Sequence, residues 1–213
     1  MSPIALGLVV SGALLHAFWN VHAKKASAGV PFIWLFGLVS VVMLAPIAGV
    51  RFYEIGGSID AHVAIAIVAS AVIHVVYSYA LQRGYRSGDF SVVYPIARGV
   101  APLLSVAGAT LLLSENTRLS NWLGAASITV GIMLLGFQRG LGKSSTLRGG
   151  IGWACLTGAT ISAYTLVDGW AISKLHADPV VYYALGLAGR SLLFAPIALR
   201  DIAALRATAS RFL

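Results

Sequence analysis

The sequence predicts an all-α polytopic membrane protein with about seven transmembrane helices. They form one complete five-helix repeat and the first two helices of an inverted second repeat. Three observations carry this expectation. Hydrophobic residues make up 58% of the 213-residue chain and charged residues 10%, with a mean hydropathy of +0.85. A soluble chain carries about 25% charged residues, so lipid must solvate much of this surface. Seven stretches each supply the roughly 20 apolar residues that a helix rising 1.5 Å per residue needs to cross a bilayer. Finally, two sequence motifs recur far along the chain. Continuous rather than alternating apolar runs exclude barrel strands, and a single cysteine, Cys155, excludes a disulfide scaffold.

The first span, 3–23, has no charged leader and is too long for a signal-peptide core, so it is a retained helix. The second, 30–50, and the third, 61–83, are followed by the fourth, 91–113, which contains Pro95 and Pro102 and is expected to bend or open where they remove backbone hydrogen bonds. In the fifth, 119–138, Gly124, Ser127 and Gly131 are expected to permit close helix approach, as are Gly7 and Ser11 in the first. Spans 149–173 and 179–199 follow, and the tail from Arg200 is expected to begin another loop. Tyr53, Trp122 and Tyr182, near span ends, fit an aromatic belt.

Charge falls unevenly on the two sides. One side carries Arg51, Arg118 and Lys174; the other carries Lys24, Lys25, Arg83, Arg86, Arg139, Lys143, Arg148, Arg200, Arg206 and Arg211. The positive-inside rule therefore places the N-terminus outside. Basic loops beside anionic headgroups account for the net charge of +8 with no nucleic-acid partner.

The repeat links Ser11-Gly12-Ala13-Leu14-Leu15-His16-Ala17-Phe18-Trp19 with Thr157-Gly158-Ala159-Thr160-Ile161-Ser162-Ala163-Tyr164-Thr165. It also links Ala45-Pro46-Ile47-Ala48 with Ala195-Pro196-Ile197-Ala198. The offsets are 146 (158 − 12) and 150 (195 − 45). An odd unit of five spans inverts the second copy, the architecture of secondary transporters. Residues 1–140 are then the first repeat and 149–213 a partial second. A second copy of full length would add three spans, so the chain reads as a piece of a ten-helix carrier. The alternative is a seven-helix protein with two coincidentally similar helices.

Ionisable groups at membrane depth are expensive and mark candidate sites. His16, Trp19 and Asn20 lie in span 1, His74 and Tyr77 in span 3, and Tyr94 and Arg98 in span 4. By residue count His16, Tyr77 and Arg98 lie roughly 10–12 Å below one face, which makes a polar layer. Arg98 offers a charged fork for a carboxylate or phosphate, or else serves as a structural anchor. His16 is a proton-coupling candidate or a hydrogen-bonded packing residue. Asp168 is the second proton-coupling candidate, and it and Arg190 form a candidate ion pair despite unequal depths.

The passages His16-Ala17-Phe18-Trp19-Asn20, Tyr85-Arg86-Ser87-Gly88-Asp89, Tyr94-Pro95-Ile96-Ala97-Arg98-Gly99 and Pro102-Leu103, with Ser114-Glu115 before a glycine-rich span, resemble the EamA-type transporters of the drug/metabolite transporter superfamily. The resemblance implies a ten-helix carrier of two inverted repeats that moves a small metabolite through a central cavity. The matching lining positions are His16, Trp19, Asn20, Tyr77, Tyr94, Arg98 and Tyr164; the residues by themselves add His74. Members of known orientation commonly have a cytoplasmic N-terminus, opposite to the charge count here.

The expectation is thus a secondary transporter of small polar or anionic metabolites in the bacterial inner membrane. Its partners are a small-molecule substrate, the lipid bilayer and a second copy of the chain, with no cofactor and no metal. A membrane enzyme would need motifs such as HExxH or GxSxG, which are missing. A retinal receptor would need an intramembrane lysine, and Lys174 stands at a helix end.

Overall fold

A computed structural model describes residues 2–26, 29–88, 90–138 and 147–212, and among them every regular element is helical. The helices are α1 (Pro3–Ala26), α2 (Gly29–Glu54), α3 (Ala61–Ser87), α4 (Phe90–Leu112), α5 (Leu119–Gln138), α6 (Leu147–Ser173), α7 (Pro179–Ala198) and α8 (Ile202–Phe212). Five contain segments long and apolar enough to cross a membrane: Trp34–Glu54, Ala61–Ser87, Val92–Leu112, Gly150–Ser173 and Pro179–Ala198. The described residues of α1 and α5 supply shorter apolar stretches, Pro3–Leu15 and Leu119–Leu134. This is an all-helical integral membrane protein. Lys24, Lys25, Arg139, Lys143 and Asp89 belong to parts on which the structure gives no side-chain detail.

Helix starts follow from short polar side chains that accept otherwise orphaned amides. Asp60 caps α3 by accepting from the His62 amide at 2.8 Å, and Asp178 caps α7 by accepting from Val180 and Val181, each at 3.0 Å. The turn after α2 passes through Gly56 and Gly57 at φ of 89° and 66°, a region that glycine enters without a Cβ penalty. Asp201 accepts from the Ala204 amide at 2.9 Å and starts α8, so the tail expected to be a loop is helical instead. The reason is local: a cap followed by the helix-favouring run Ile202-Ala203-Ala204-Leu205-Arg206. α4 stays helical from Phe90 to Leu112 through Pro95 and Pro102.

The chain forms two compact units, one of Met1–Phe36 with Pro196–Leu213, the other of Gly37–Ala195. In the first, α1 exposes Ile4, Leu8, Leu14 and Leu15, side chains suited to lipid. α8 buries Thr208, whose hydroxyl donates to the Ala204 carbonyl at 2.7 Å.

In the larger unit α6 packs against both α3 and α4, and α4 against α5. Small residues set these approaches. A Cβ built on Gly150 would stand 2.9 Å from the Gly88 Cα and 3.0 Å from Val93 Cγ2, and one on Gly158 would stand 3.0 Å from the Ala97 carbonyl oxygen. Around these points Val93, Ala97 and Ala154 form one buried cluster; Val63, Ala66, Ile67, Ala171, Ala177 and Tyr182 form another. Among the described residues Gly124 and Gly131 are not contact points: a Cβ on either meets nothing within 4 Å. Ser127 donates to its own helix at Leu123. The expectation for span 5 fails because small-residue spacing gives no indication of which face meets a neighbour. The α4–α5 contact runs instead through Thr129, which donates to the Gly99 carbonyl at 2.6 Å. That carbonyl neighbours the one at Arg98 which Pro102 cannot serve.

At one end of this unit Arg51 joins α2 to the start of α7. Its guanidinium donates to Asp178 Oδ2 at 2.6 Å and to Glu54 at 2.6 Å. The two Asp178 oxygens thus divide their work, Oδ1 capping α7 and Oδ2 holding Arg51. The Val181 amide first, and Arg51 after it, hold the Asp178 carboxyl below the usual carboxylate range against partial desolvation.

Two predictions follow from this packing. Gly150→Val should lower stability by about 1–3 kcal/mol through overpacking, whereas Gly131→Ala should be neutral or gain up to about 1 kcal/mol from helix propensity; thermal unfolding in detergent compares them. A depressed folded-state pKa stabilises above the unfolded value and is lost as pH falls through the folded one. Wild-type melting temperature should therefore drop as pH falls below about 4. In Asp178→Asn that acid-dependent step should be smaller, with a lower plateau near neutrality.

Candidate functional site

Helical spacing aligns the polar residues of α3. Ser70, His74 and Tyr77 fall at i, i+4 and i+7 and so share one face; Tyr164 and Asp168, four apart, share a face of α6. The close packing of α3 on α6 brings the two faces together. His74 stacks on Tyr164 with ring centroids 3.9 Å apart and planes 22° apart, and Tyr77 meets the same ring edge-on at 5.9 Å. His74 Nδ1 lies 2.8 Å from the Ser70 carbonyl oxygen. A carbonyl only accepts, so Nδ1 carries a hydrogen, and in the neutral form of the ring the lone pair is then on Nε2. The Ser78 hydroxyl closes this run by donating to the His74 carbonyl at 2.9 Å.

Two guanidiniums each stand over a tyrosine of their own helix. Arg98 of α4 stands over the Tyr94 ring with 5.8 Å to its centroid. Arg190 of α7 stands over Tyr183 at 5.6 Å and donates Nε–H to the Gly186 carbonyl at 3.3 Å. Both lie within electrostatic reach of the Tyr164 hydroxyl. Neither forms an ion pair among the described residues. The anticipated Asp168–Arg190 pair is absent there.

Asp168 has a different partner. Tyr182 of α7 donates its hydroxyl to Asp168 Oδ1 at 2.8 Å, and the tyrosine oxygen also lies 3.3 Å from the Ala66 carbonyl of α3. Tyr182 is 6% exposed, so it is a buried bridge between three helices and not part of an interfacial belt. Its place near a span end concealed this. No sequence signal pairs it with Asp168, which lies on another helix; only the packing of α6 and α7 does. Tyr53, by contrast, is largely exposed.

The structure thus brings His74, Tyr77 and Tyr164 together and sets Arg98 with Tyr94 nearby. His16, Trp19 and Asn20 lie on α1, and their side chains fall outside the described residues. Two cavities lie in the larger unit. One, about 590 Å³, is an apolar groove between α4 and α6 lined by Leu104, Gly108, Leu111, Leu166 and Trp170. The other, about 400 Å³, opens among the α2–α3 and α6–α7 loops and reaches Val63, Ile67 and Tyr182 past Asp60, His176 and Asp178. Neither is lined by His74 or Arg98.

Fold and site define a helical integral membrane protein with an aromatic and cationic cluster among its apolar helices. Compared with known proteins, the chain matches no family model, no curated protein and no solved structure.

Removing the Tyr182 hydroxyl leaves the part-buried Asp168 without this donor, and losing a typical hydrogen bond costs about 0.5–1.5 kcal/mol. Tyr182→Phe should therefore lower the unfolding free energy by that amount in detergent titrations. Tyr53→Phe should be neutral.

Proposed function

We propose that this protein is a secondary transporter of small polar or anionic metabolites, of the EamA type within the drug/metabolite transporter superfamily, working by alternating access in a bacterial inner membrane. One observation carries the reading. Arg98 and Arg190, without ion-pair partners among the described residues, stand over Tyr94 and Tyr183 on spans of an integral membrane protein, both within electrostatic reach of Tyr164, which packs with His74 and Tyr77. A guanidinium at membrane depth is costly unless something anionic or aqueous meets it. Arginine is suited to a carboxylate or phosphate, and stacked rings suit a planar or apolar body on the same molecule.

In this reading the seven apolar helices all span the membrane, and α6 and α7 repeat α1 and α2 in inverted orientation. The α6 copy of the repeated motif supports a common packing role, since Thr157 is fully buried and Gly158 lies against α4. Substrate would bind with its anionic group at Arg98 and its body against Tyr164 and Tyr77. Rocking of the helices about that point would expose it to each side in turn. His74, with its Nε2 lone pair free to accept, would take a hydrogen bond from a substrate hydroxyl or amine.

The test is uptake into proteoliposomes of a labelled panel of carboxylated and phosphorylated metabolites. A panel member should be taken up by wild type, with Arg98→Ala reducing uptake at least tenfold at normal expression and Arg98→Lys retaining part of it. Uptake unchanged in Arg98→Ala would remove Arg98 from the site, and absence of any protein-dependent flux would overturn the reading.

A further inference from the structure

Asp168 is the one carboxylate on the described faces of α3, α4, α6 and α7 at membrane depth, and it holds no ion pair among the described residues. Its partner Tyr182 has two acceptors within reach, Asp168 Oδ1 at 2.8 Å and the Ala66 carbonyl at 3.3 Å. This geometry defines two hydrogen-bonded states. With Asp168 ionised, the tyrosine O–H points at the carboxylate. With Asp168 protonated, the carboxyl O–H becomes the donor, the tyrosine oxygen accepts it, and the tyrosine hydrogen turns to the Ala66 carbonyl. One proton is added to the carboxylate, no bond between heavy atoms changes, and the tyrosine hydroxyl has an acceptor in both states. The loop-side cleft of about 400 Å³ has Tyr182 in its wall and opens toward the loops.

We propose that Asp168 is a proton-binding site and that Tyr182 conveys its state to α3, tightening the α7–α3 contact when the proton is bound. Groups facing the pair come from every packed helix. α3 contributes His74, which senses both Asp168 and Arg190, and the Ser70 hydroxyl beside Tyr182. α6 contributes Tyr164, and Arg98 of α4 acts on Tyr164 rather than on the pair. α7 contributes Arg190, and Asp60, His176 and Asp178 line the cleft mouth. As the coupling ion of the transport cycle, the proton rests on the transporter reading; the proton site itself does not.

Infrared difference spectra between acidic and alkaline buffer, taken on the whole chain in lipid nanodiscs, test the site without any substrate, so its failure and the failure of the transporter reading are separately visible. The expected result is a pH-dependent carboxylic acid C=O band that is lost in Asp168→Asn and shifted in frequency in Tyr182→Phe. Wild type should also show a tyrosine C–O mode that titrates with the same midpoint and is absent in Tyr182→Phe, a readout that remains should Asp168→Asn fail to fold. An Asp168→Asn difference spectrum identical to wild type, with no component missing beside the bands of the other six acids, or a Tyr182→Phe spectrum identical to wild type, overturns the proposal.

Discussion

In a bilayer, burying methyl groups gains a helix little, because lipid tails are as apolar as leucine; helices associate through close contact and shared polar bonds. The larger unit is arranged around that constraint. α6 meets α3 and α4 where Gly88, Gly150 and Gly158 leave no Cβ in the way, and at Gly88–Gly150 two backbones are in direct contact. Everything else described depends on this approach. It puts the ring of Tyr164 on that of His74, and it holds the α3 and α6 groups to which Tyr182 bonds. A shift of a few tenths of an ångström at the glycines would be felt at the rings, since a stacked pair at 3.9 Å has no slack.

The second constraint is that polar atoms inside the bilayer find partners in the protein. Serine and threonine meet it locally. Thr157, Thr160, Thr165 and Ser191 each donate to a carbonyl on their own helix, and Thr129 crosses to α4 beside a proline. The expensive groups are met by longer reach: Asp168 by a tyrosine from another helix, Arg190 by a ring and a carbonyl of its own helix. The Arg51–Asp178 pair lies at the loops, where water shares its cost and where it closes α2 onto the start of α7.

Much of this was legible from residues alone. Helices occupy all seven stretches read as apolar, because a run of about 20 apolar residues has few other stable forms. His74 and Tyr77 were recognisable as candidates because polar groups at membrane depth need a reason to be there, whereas Tyr164 entered only through the resemblance to the EamA-type transporters. Three features were misread for a common cause. Gly124 and Gly131 have the spacing of a contact face, Tyr182 the position of a belt residue, and Arg190 the charge to pair with Asp168. In each case sequence supplies a capacity, and only the rotation of a helix about its axis decides whether the capacity meets a neighbour. The α8 helix was missed for a local reason, since its cap at Asp201 is a single residue in a short charged tail.

By itself the sequence determined that the chain is helical and lipid-embedded, roughly where its helices begin and end, and which few polar residues lie among apolar ones. These follow from composition and from periods of a single helix. The tertiary structure alone decided which of those residues touch: that Tyr182 and not Arg190 bonds to Asp168, that His74 stacks on Tyr164, and that α6 is the helix shared by α3 and α4. Such choices depend on crossing points set by the sum of many small contacts among helices far apart in sequence, and no local pattern encodes that sum.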